Sequence, residues 1–310
     1  MKRVLALSAV GLLGLSLLTP MFAQDARSEM DSMHRSDSHS NHNESKDKKA
    51  KSNQVTITPS TNLVAGKPQV LTVQVRSAEG EAIKQFDIQH EKLMHLILVR
   101  NDLSYFTHLH AESISKGKLQ FTANLPVDGQ YTAFADYVPK EAEQQVSTQT
   151  LNVGKKVAAN TKPLTPDTSL SKSVDDLNVS LLIDPKMIKP GQETAVTLDI
   201  KDATGKPVTD LQPYLGAMGH LVIIKQSPTL TAANYLHAHP KEMAGMSNKS
   251  EMHGEQSSMA MEHAKQSKEA TSTPGQVAFE TAFPESGVYK LWGQFQRNGK
   301  VITADFTVAI

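Results

Sequence analysis

The chain has 310 residues, enough for two domains of ordinary size. Its 32 basic and 32 acidic side chains cancel, and no dense basic stripe suited to nucleic acid is present. It contains no cysteine, which excludes disulfides, thiolate metal sites, iron–sulfur clusters, cysteine nucleophiles and the cysteine-dependent blue-copper ligand set.

Residues 1–23 read as a secretory signal peptide. Met1-Lys2-Arg3 is the basic start, Val4 to Leu18 is an apolar run short for a bilayer-spanning helix, and Ala23 is the expected residue before the cut. No integral membrane segment is expected after cleavage, and the mature chain is expected in the periplasm or outside the cell. Residues 24–52 are polar, lack an apolar period and read as a disordered tail carrying Met30, Met33, His34, His39 and His42.

Residues 53–153 read as a first β domain. Val55-Thr56-Ile57 starts a strand, and Leu71, Val73 and Val75 alternate with polar residues as a half-buried strand requires. Glu79-Gly80 turns the chain. Leu93 to Val99 is a more continuous apolar run broken by His95. Asn101-Asp102 turns it again, and Tyr105 to His110 returns. Lys118 to Ala123, Tyr131 to Tyr137 and Val146 to Val153 complete about seven short strands with no convincing helix. Residues 154–176, rich in Lys, Pro, Thr and Ser, read as a linker stiffened by Pro163 and Pro166.

Residues 177–310 repeat the first domain. Gly205 lies 125 residues after Gly80, and His220 lies 125 residues after His95. His237 and His239 follow His108 and His110 by 129, so four residues are added between. Two units of about 100 residues point to duplicated domains rather than a solenoid. The fold expected is all-β: two tandem immunoglobulin-like β-sandwich domains joined by a short linker. The second domain alone carries an insertion, residues 241–272, polar and rich in Met and His. Loops of that length inside a compact domain are usually functional or disordered.

Each domain therefore offers one histidine on an apolar strand and a His-x-His pair: His95, His108 and His110, then His220, His237 and His239. Side chains two apart on a strand share a face, so the pair can converge on one ion, and an adjacent strand brings the third imidazole. Three imidazoles and water suit Zn²⁺ or Cu²⁺. The insertion adds Met243, Met246, Met252, His253, Met259, Met261 and His263, and thioethers select Cu(I). Copper is the expected metal, with zinc the alternative. The same histidines also suit a hydrogen-bonded structural network, and duplication copies either. Tyr131, Phe134, Tyr289 and Trp292 read as core. Asp136 and Asp102 can orient a ligand histidine by accepting its second N–H, although turn or surface duty is the plainer expectation.

No Gly-rich phosphate loop, His-Glu-x-x-His or Gly-x-Ser-x-Gly is present, and no carboxylate stands out as a base, so the chain reads as no enzyme, with a three-histidine site that activates water as the catalytic alternative. The stretches MHLILVRNDLSYFTHLHAE with GQYTAFADYV, and GHLVIIKQSPTLTAANYLHAHP with GVYKLWGQF, resemble bacterial secreted proteins with YtkA-like, immunoglobulin-type β domains. The resemblance implies an exported accessory module, with the six histidines as its site and metal-efflux or other envelope proteins as partners. The rival reading is a non-catalytic secreted interaction or adhesion module whose histidines are structural.

Overall fold

The alternation of apolar and polar residues produces strands throughout the computed structural model, which describes residues 53–111, 113–115, 117–155, 163–240 and 273–310. Residues 1–23 and 24–52, read as signal peptide and tail, and the 241–272 insertion lie outside the described residues. The first domain holds β1 (Gln54–Pro59), β2 (Pro68–Arg76), β3 (Ala82–Ile83), β4 (Phe86–Asp87), β5 (Met94–Arg100), β6 (Phe106–His110), β7 (Ser113–Ser115), β8 (Lys118–Asn124), β9 (Gly129–Pro139) and β10 (Gln145–Val153). The second holds β11 (Ser171–Val174), β12 (Leu177–Leu182), β13 (Glu193–Asp202), β14 (Leu211–Gln212), β15 (His220–Lys225), β16 (Tyr235–Ala238), β17 (Gln276–Ala282), β18 (Val288–Arg297) and β19 (Lys300–Ala309). A single 3₁₀ turn, Ala232–Asn234, is the one helical element among the described residues. No helix among them is long and apolar enough to cross a membrane.

The architecture is all-β, with two groups of sheets forming two β domains. In the first, one sheet runs β1-β2-β8-β7 and the other β10-β9-β5-β6, all pairs antiparallel. The second repeats this with β12-β13-β17 and β19-β18-β15-β16. Each domain closes its two sheets over an apolar core. Leu71, Val73 and Phe121 meet Leu96, Leu98 and Tyr131 in the first, and Val196, Leu198 and Phe279 meet Leu221, Ile223 and Tyr289 in the second.

One strand lies inside the stretch read as linker. Ser171–Val174 pairs with Leu177–Leu182 and forms the edge of its sheet. Its sequence, Ser-Lys-Ser-Val, shows no apolar alternation because neither face of this edge is deeply buried. Just before it, Leu164 packs on the domain interface, and Asp167 Oδ2 accepts from the Thr307 backbone N–H.

The central strands β5 and β15 are buried on both faces. Leu96 and Leu98 point into their own domain, and Ile97 and Val99 point out of it. The outward residues meet Val222, Ile224, Leu230, Tyr235 and Trp292 of the second domain in a third apolar cluster with Leu103 and Phe134. The two β domains are thus packed sheet against sheet within one unit, Ala50–Ile310. Two ring stacks cross the interface: Phe106 on Trp292 at 4.9 Å and Phe134 on Tyr235 at 5.1 Å between centroids.

Those stacks divide the four aromatics that read as core between two kinds of core. Tyr131 and Tyr289 are core, whereas Phe134 and Trp292 face the other domain. The reason is the strand period of two: residues three apart lie on opposite faces. Trp292 is the only tryptophan in the chain and is buried in this interface, so its fluorescence reports the interface directly. Phe134→Ala is expected to lower stability by about 3–5 kcal/mol, the usual cost of emptying a buried aromatic site. Urea unfolding followed by Trp292 emission should show the lower midpoint and a red-shifted native spectrum. An unchanged midpoint and spectrum would contradict the packing.

Candidate metal centre

The outward faces of the two inner sheets carry more than apolar residues. At one end of β5 the register sets His95 opposite His110 on β6 and opposite Asp136 on β9, with Ile97 opposite His108. In the second domain His220 stands opposite Gln294, and Val222 is flanked by His237 and Trp292. All six predicted histidines therefore lie on the interface side of their sheets. Each set of three forms a group able to hold a metal ion, with one ring nitrogen per residue and those atoms within 4.8 Å of one another.

The two groups also touch. Ring centroids of His95 and His237 are 5.2 Å apart, those of His108 and His237 5.3 Å, and those of His108 and His220 5.8 Å. The clusters are neighbours across the domain interface, not separate sites at opposite ends of the molecule.

Partners on the outer side of each ring decide where its proton sits. His95 Nε2 faces the Gln89 carbonyl at 3.0 Å, and a carbonyl can only accept, so Nε2 carries the hydrogen and Nδ1 is bare in the neutral ring. His108 Nδ1 faces Gln294 Oε1 at 2.8 Å, while Gln294 Nε2 donates to Thr303 Oγ1, which orients the amide. His108 Nε2 is therefore bare as well. The two bare nitrogens, His95 Nδ1 and His108 Nε2, lie 2.9 Å apart, and His110 Nε2 lies 3.2 Å from His108 Nε2. Two lone pairs cannot hydrogen-bond each other. Their spacing is close to the roughly 3.3 Å edge of a tetrahedron whose metal–nitrogen bonds are about 2.0–2.1 Å.

The second domain repeats the arrangement atom for atom. His220 Nε2 faces the Tyr214 carbonyl at 2.9 Å, and His237 Nδ1 faces Asp136 Oδ2 at 3.2 Å. The inner atoms, His220 Nδ1, His237 Nε2 and His239 Nε2, are buried and make no hydrogen bond with protein. Buried polar atoms are rarely left so, and here three of them converge.

Burial is the first cause of every histidine shift in the site. It lowers the His110 pKa to about 3 and that of His220 to about 4, and it lowers His95, His108, His237 and His239 as well. Neighbouring imidazoles push the same way. At neutral pH the rings are therefore unprotonated, the form a metal ion requires. Burial raises the pKa of Asp136, but Gln144 Nε2 at 2.6 Å, the Tyr235 hydroxyl at 3.2 Å and His237 Nδ1 all donate to its carboxylate.

The family described as a domain of unknown function, DUF8832, matches residues 48–155 and 172–310. The chain belongs to this family. None of the matches is specific to YtkA-like domains. Among solved structures, Escherichia coli alpha-2-macroglobulin is similar over 84% of this chain and 14% of its own, at 13% identity and TM-score 0.25. Yersinia pseudotuberculosis adhesin InvE is similar over 82% of this chain and 58% of its own, at 11% identity and TM-score 0.23. A segment of two fibronectin type III domains from chicken tenascin gives 82%, 98%, 7% and 0.21 for the same quantities. The chain spans 14% and 58% of the first two, and likenesses this slight carry no argument about function. No curated protein matches.

Asp136, one of the two carboxylates able to orient a histidine, is fully buried and does so for the other domain's His237 rather than serving a turn or the surface; Asp102 has the turn duty, pairing with Arg100 beside the β5–β6 turn. Two further site residues carry no such expectation from the sequence. Gln294 is the counterpart of Asp136, and the 158-residue offset that aligns Tyr131 with Tyr289 also aligns these two. His90 stacks on His239 with centroids 3.4 Å apart, and its counterpart 125 residues on is Leu215. Met94, adjacent to His95, points into the domain core by strand alternation. Met243, Met246, Met252, His253, Met259, Met261 and His263 lie outside the described residues.

The lowered pKa values set a pH dependence for the metal-free chain. In the unfolded chain a histidine takes its proton near pH 6.5, whereas the folded site holds His220 neutral to about 4 and His110 to about 3. The unfolded state then binds more protons, so stability is full above about 6.5 and falls as the pH drops toward 4. The urea midpoint of chelator-treated protein should be clearly lower at pH 5 than at pH 7.5, and His220→Gln should flatten that dependence. A midpoint that rises on acidification would contradict the neutral, desolvated site.

Proposed function

We propose that this protein is an exported, non-catalytic metal-binding protein that holds one ion in each histidine cluster. The observation that carries the proposal is the pair of bare nitrogens 2.9 Å apart, His95 Nδ1 and His108 Nε2, with its unpartnered counterpart in the second domain. A cation between the lone pairs removes a repulsion that the hydrogen-bonded outer nitrogens otherwise enforce. His95, His108 and His110 are the proposed ligands in the first domain, and His220, His237 and His239 those in the second. Asp136 is occupied as an acceptor for three donors, which argues against its use as a catalytic base.

Copper is the proposed cargo, with zinc the rival. Imidazole accepts both, and the case for copper rests on the methionine-rich composition of residues 241–272. The basic and apolar first 23 residues support export to the periplasm or beyond, and handling or resistance there implies metal-efflux or other envelope proteins as partners. The two β domains are proposed to be immunoglobulin-type sandwiches of the kind the sequence resembles.

A second reading is favoured by a different observation. His95, His108, His220 and His237 each hydrogen-bond protein through one nitrogen, and two of those bonds cross the domain interface. On this reading the histidines fasten the two domains of a secreted interaction or adhesion module. Titration of the purified full-length chain with Cu(I), Cu(II) and Zn(II) separates the two. Metal binding predicts two tightly held ions per chain, one lost in the His108→Ala/His110→Ala variant and the other in His237→Ala/His239→Ala. Structural histidines predict no tight ion in the intact chain and a stability loss in both variants that metal does not modulate.

A further inference from the structure

The two clusters are copies of each other, but what stands behind them is not. Each middle histidine is oriented by a residue from the opposite domain. His108 of the first domain donates from Nδ1 to Gln294 of the second, and His237 of the second donates to Asp136 of the first. Asp136 and Gln294 occupy equivalent positions, opposite His95 and His220. One is a carboxylate and the other a neutral amide. A carboxylate behind a ligand imidazole makes its far nitrogen a stronger donor and supplies negative charge against the ion, and such partners are worth about 10–100-fold in metal affinity. Both residues are buried, Asp136 fully, so water screens the difference little.

Lys92 also differs between the repeats: its ammonium disfavours positive charge at His95 and His110, although at His95 the Asp136 carboxylate acts the other way and more strongly. The counterpart of Lys92 125 residues on is Ala217, which has no charge.

We infer that the clusters are unequal ion sites tuned across the domain interface, the second-domain cluster being the high-affinity site for a divalent cation because Asp136 of the first domain backs His237. The first-domain cluster, whose His108 is backed by the neutral Gln294, fills second. Asp136 is thus a positioning and charge-compensating residue for a site whose three ligands all belong to the other domain. This inference rests on the metal-binding reading, and the two fail differently.

The test is a chelator-competition titration of the full-length chain with Zn(II). The intact chain should fill in two steps separated by about 10–100-fold. Asp136→Asn, which keeps shape and one acceptor oxygen, should weaken the site that remains in the His108→Ala/His110→Ala background by about 10–100-fold, and the site that remains in the His237→Ala/His239→Ala background by much less. Gln294→Glu should strengthen the first-domain site by a similar factor, a gain that damage to the fold cannot produce. A variant lacking both clusters sets the background from the rest of the chain. Two equal steps in the intact chain, equal weakening of both sites by Asp136→Asn, or no gain from Gln294→Glu would overturn the inference while leaving metal binding intact. Absence of any zinc above background would overturn both.

Discussion

Burial of β5 and β15 on both faces is the constraint on which the rest of the structure depends. A strand that contacts its own core through Leu96 and Leu98 and the other domain through Ile97 and Val99 must be apolar at every position. That turns the outer face of each inner sheet into an interface. Whatever polar group sits on that face is desolvated, and the groups that sit there include the histidines, Asp136 and Gln294. The aromatic stacks at one end of the interface and the imidazoles at the other are two halves of one surface. The first supplies the packing that holds the second out of water.

Desolvation gives the site its chemistry and also its cost. A buried polar atom without a partner costs about 1–3 kcal/mol, and three such nitrogens converge in the second domain. The outer nitrogens of His95, His220, His108 and His237 are used, by the Gln89 and Tyr214 carbonyls, Gln294 and Asp136. Rotating a ring to satisfy its inner nitrogen would therefore strand an outer partner. At these four rings a metal ion, or a donor such as water, between the inner nitrogens satisfies them without breaking an outer bond. Apolar packing of Phe106, Phe134, Tyr235 and Trp292 offsets that cost. A fold in which the same histidines faced solvent would leave their nitrogens to water and impose no such cost.

Much of this was legible in the sequence, and the misses share a cause. The repeat, the all-β class, the strand positions and the two triads follow from alternation and from fixed offsets, which are local properties. The apolar run Leu93–Val99 even carries the sign of two-sided burial, since it lacks the polar alternation of Leu71–Val75. What lay behind its outer face did not show. No pattern along a chain states which sheet packs on which, so the sequence shows Phe134 and Trp292 as core without showing that they pack on the other domain, and shows Asp136 and Asp102 as rivals without showing which one backs a histidine. Gln294 was accessible through the 158-residue offset, had the histidines' strand neighbours been compared between the repeats. His90 had no such signal, because its counterpart is Leu215.

The contacts across the interface are reciprocal under exchange of the domains. Phe106 on Trp292 maps onto Tyr235 on Phe134, and His108 with Gln294 maps onto His237 with Asp136. That is the pattern of an isologous dimer interface, in which the same patch meets itself. Here both copies are in one chain. In a dimer of identical subunits the position held by Asp136 and Gln294 would be the same residue twice, with either two buried carboxylates close together or none. Fusion removes that restriction. One copy can keep a carboxylate while the other takes an amide, so a single buried charge sits between the clusters without a like neighbour to repel it. Lys92 against Ala217 and His90 against Leu215 are differences of the same kind. The duplicated fold supplies the symmetry that brings six imidazoles together, and the covalent link between its halves allows the two ends of that symmetry to differ.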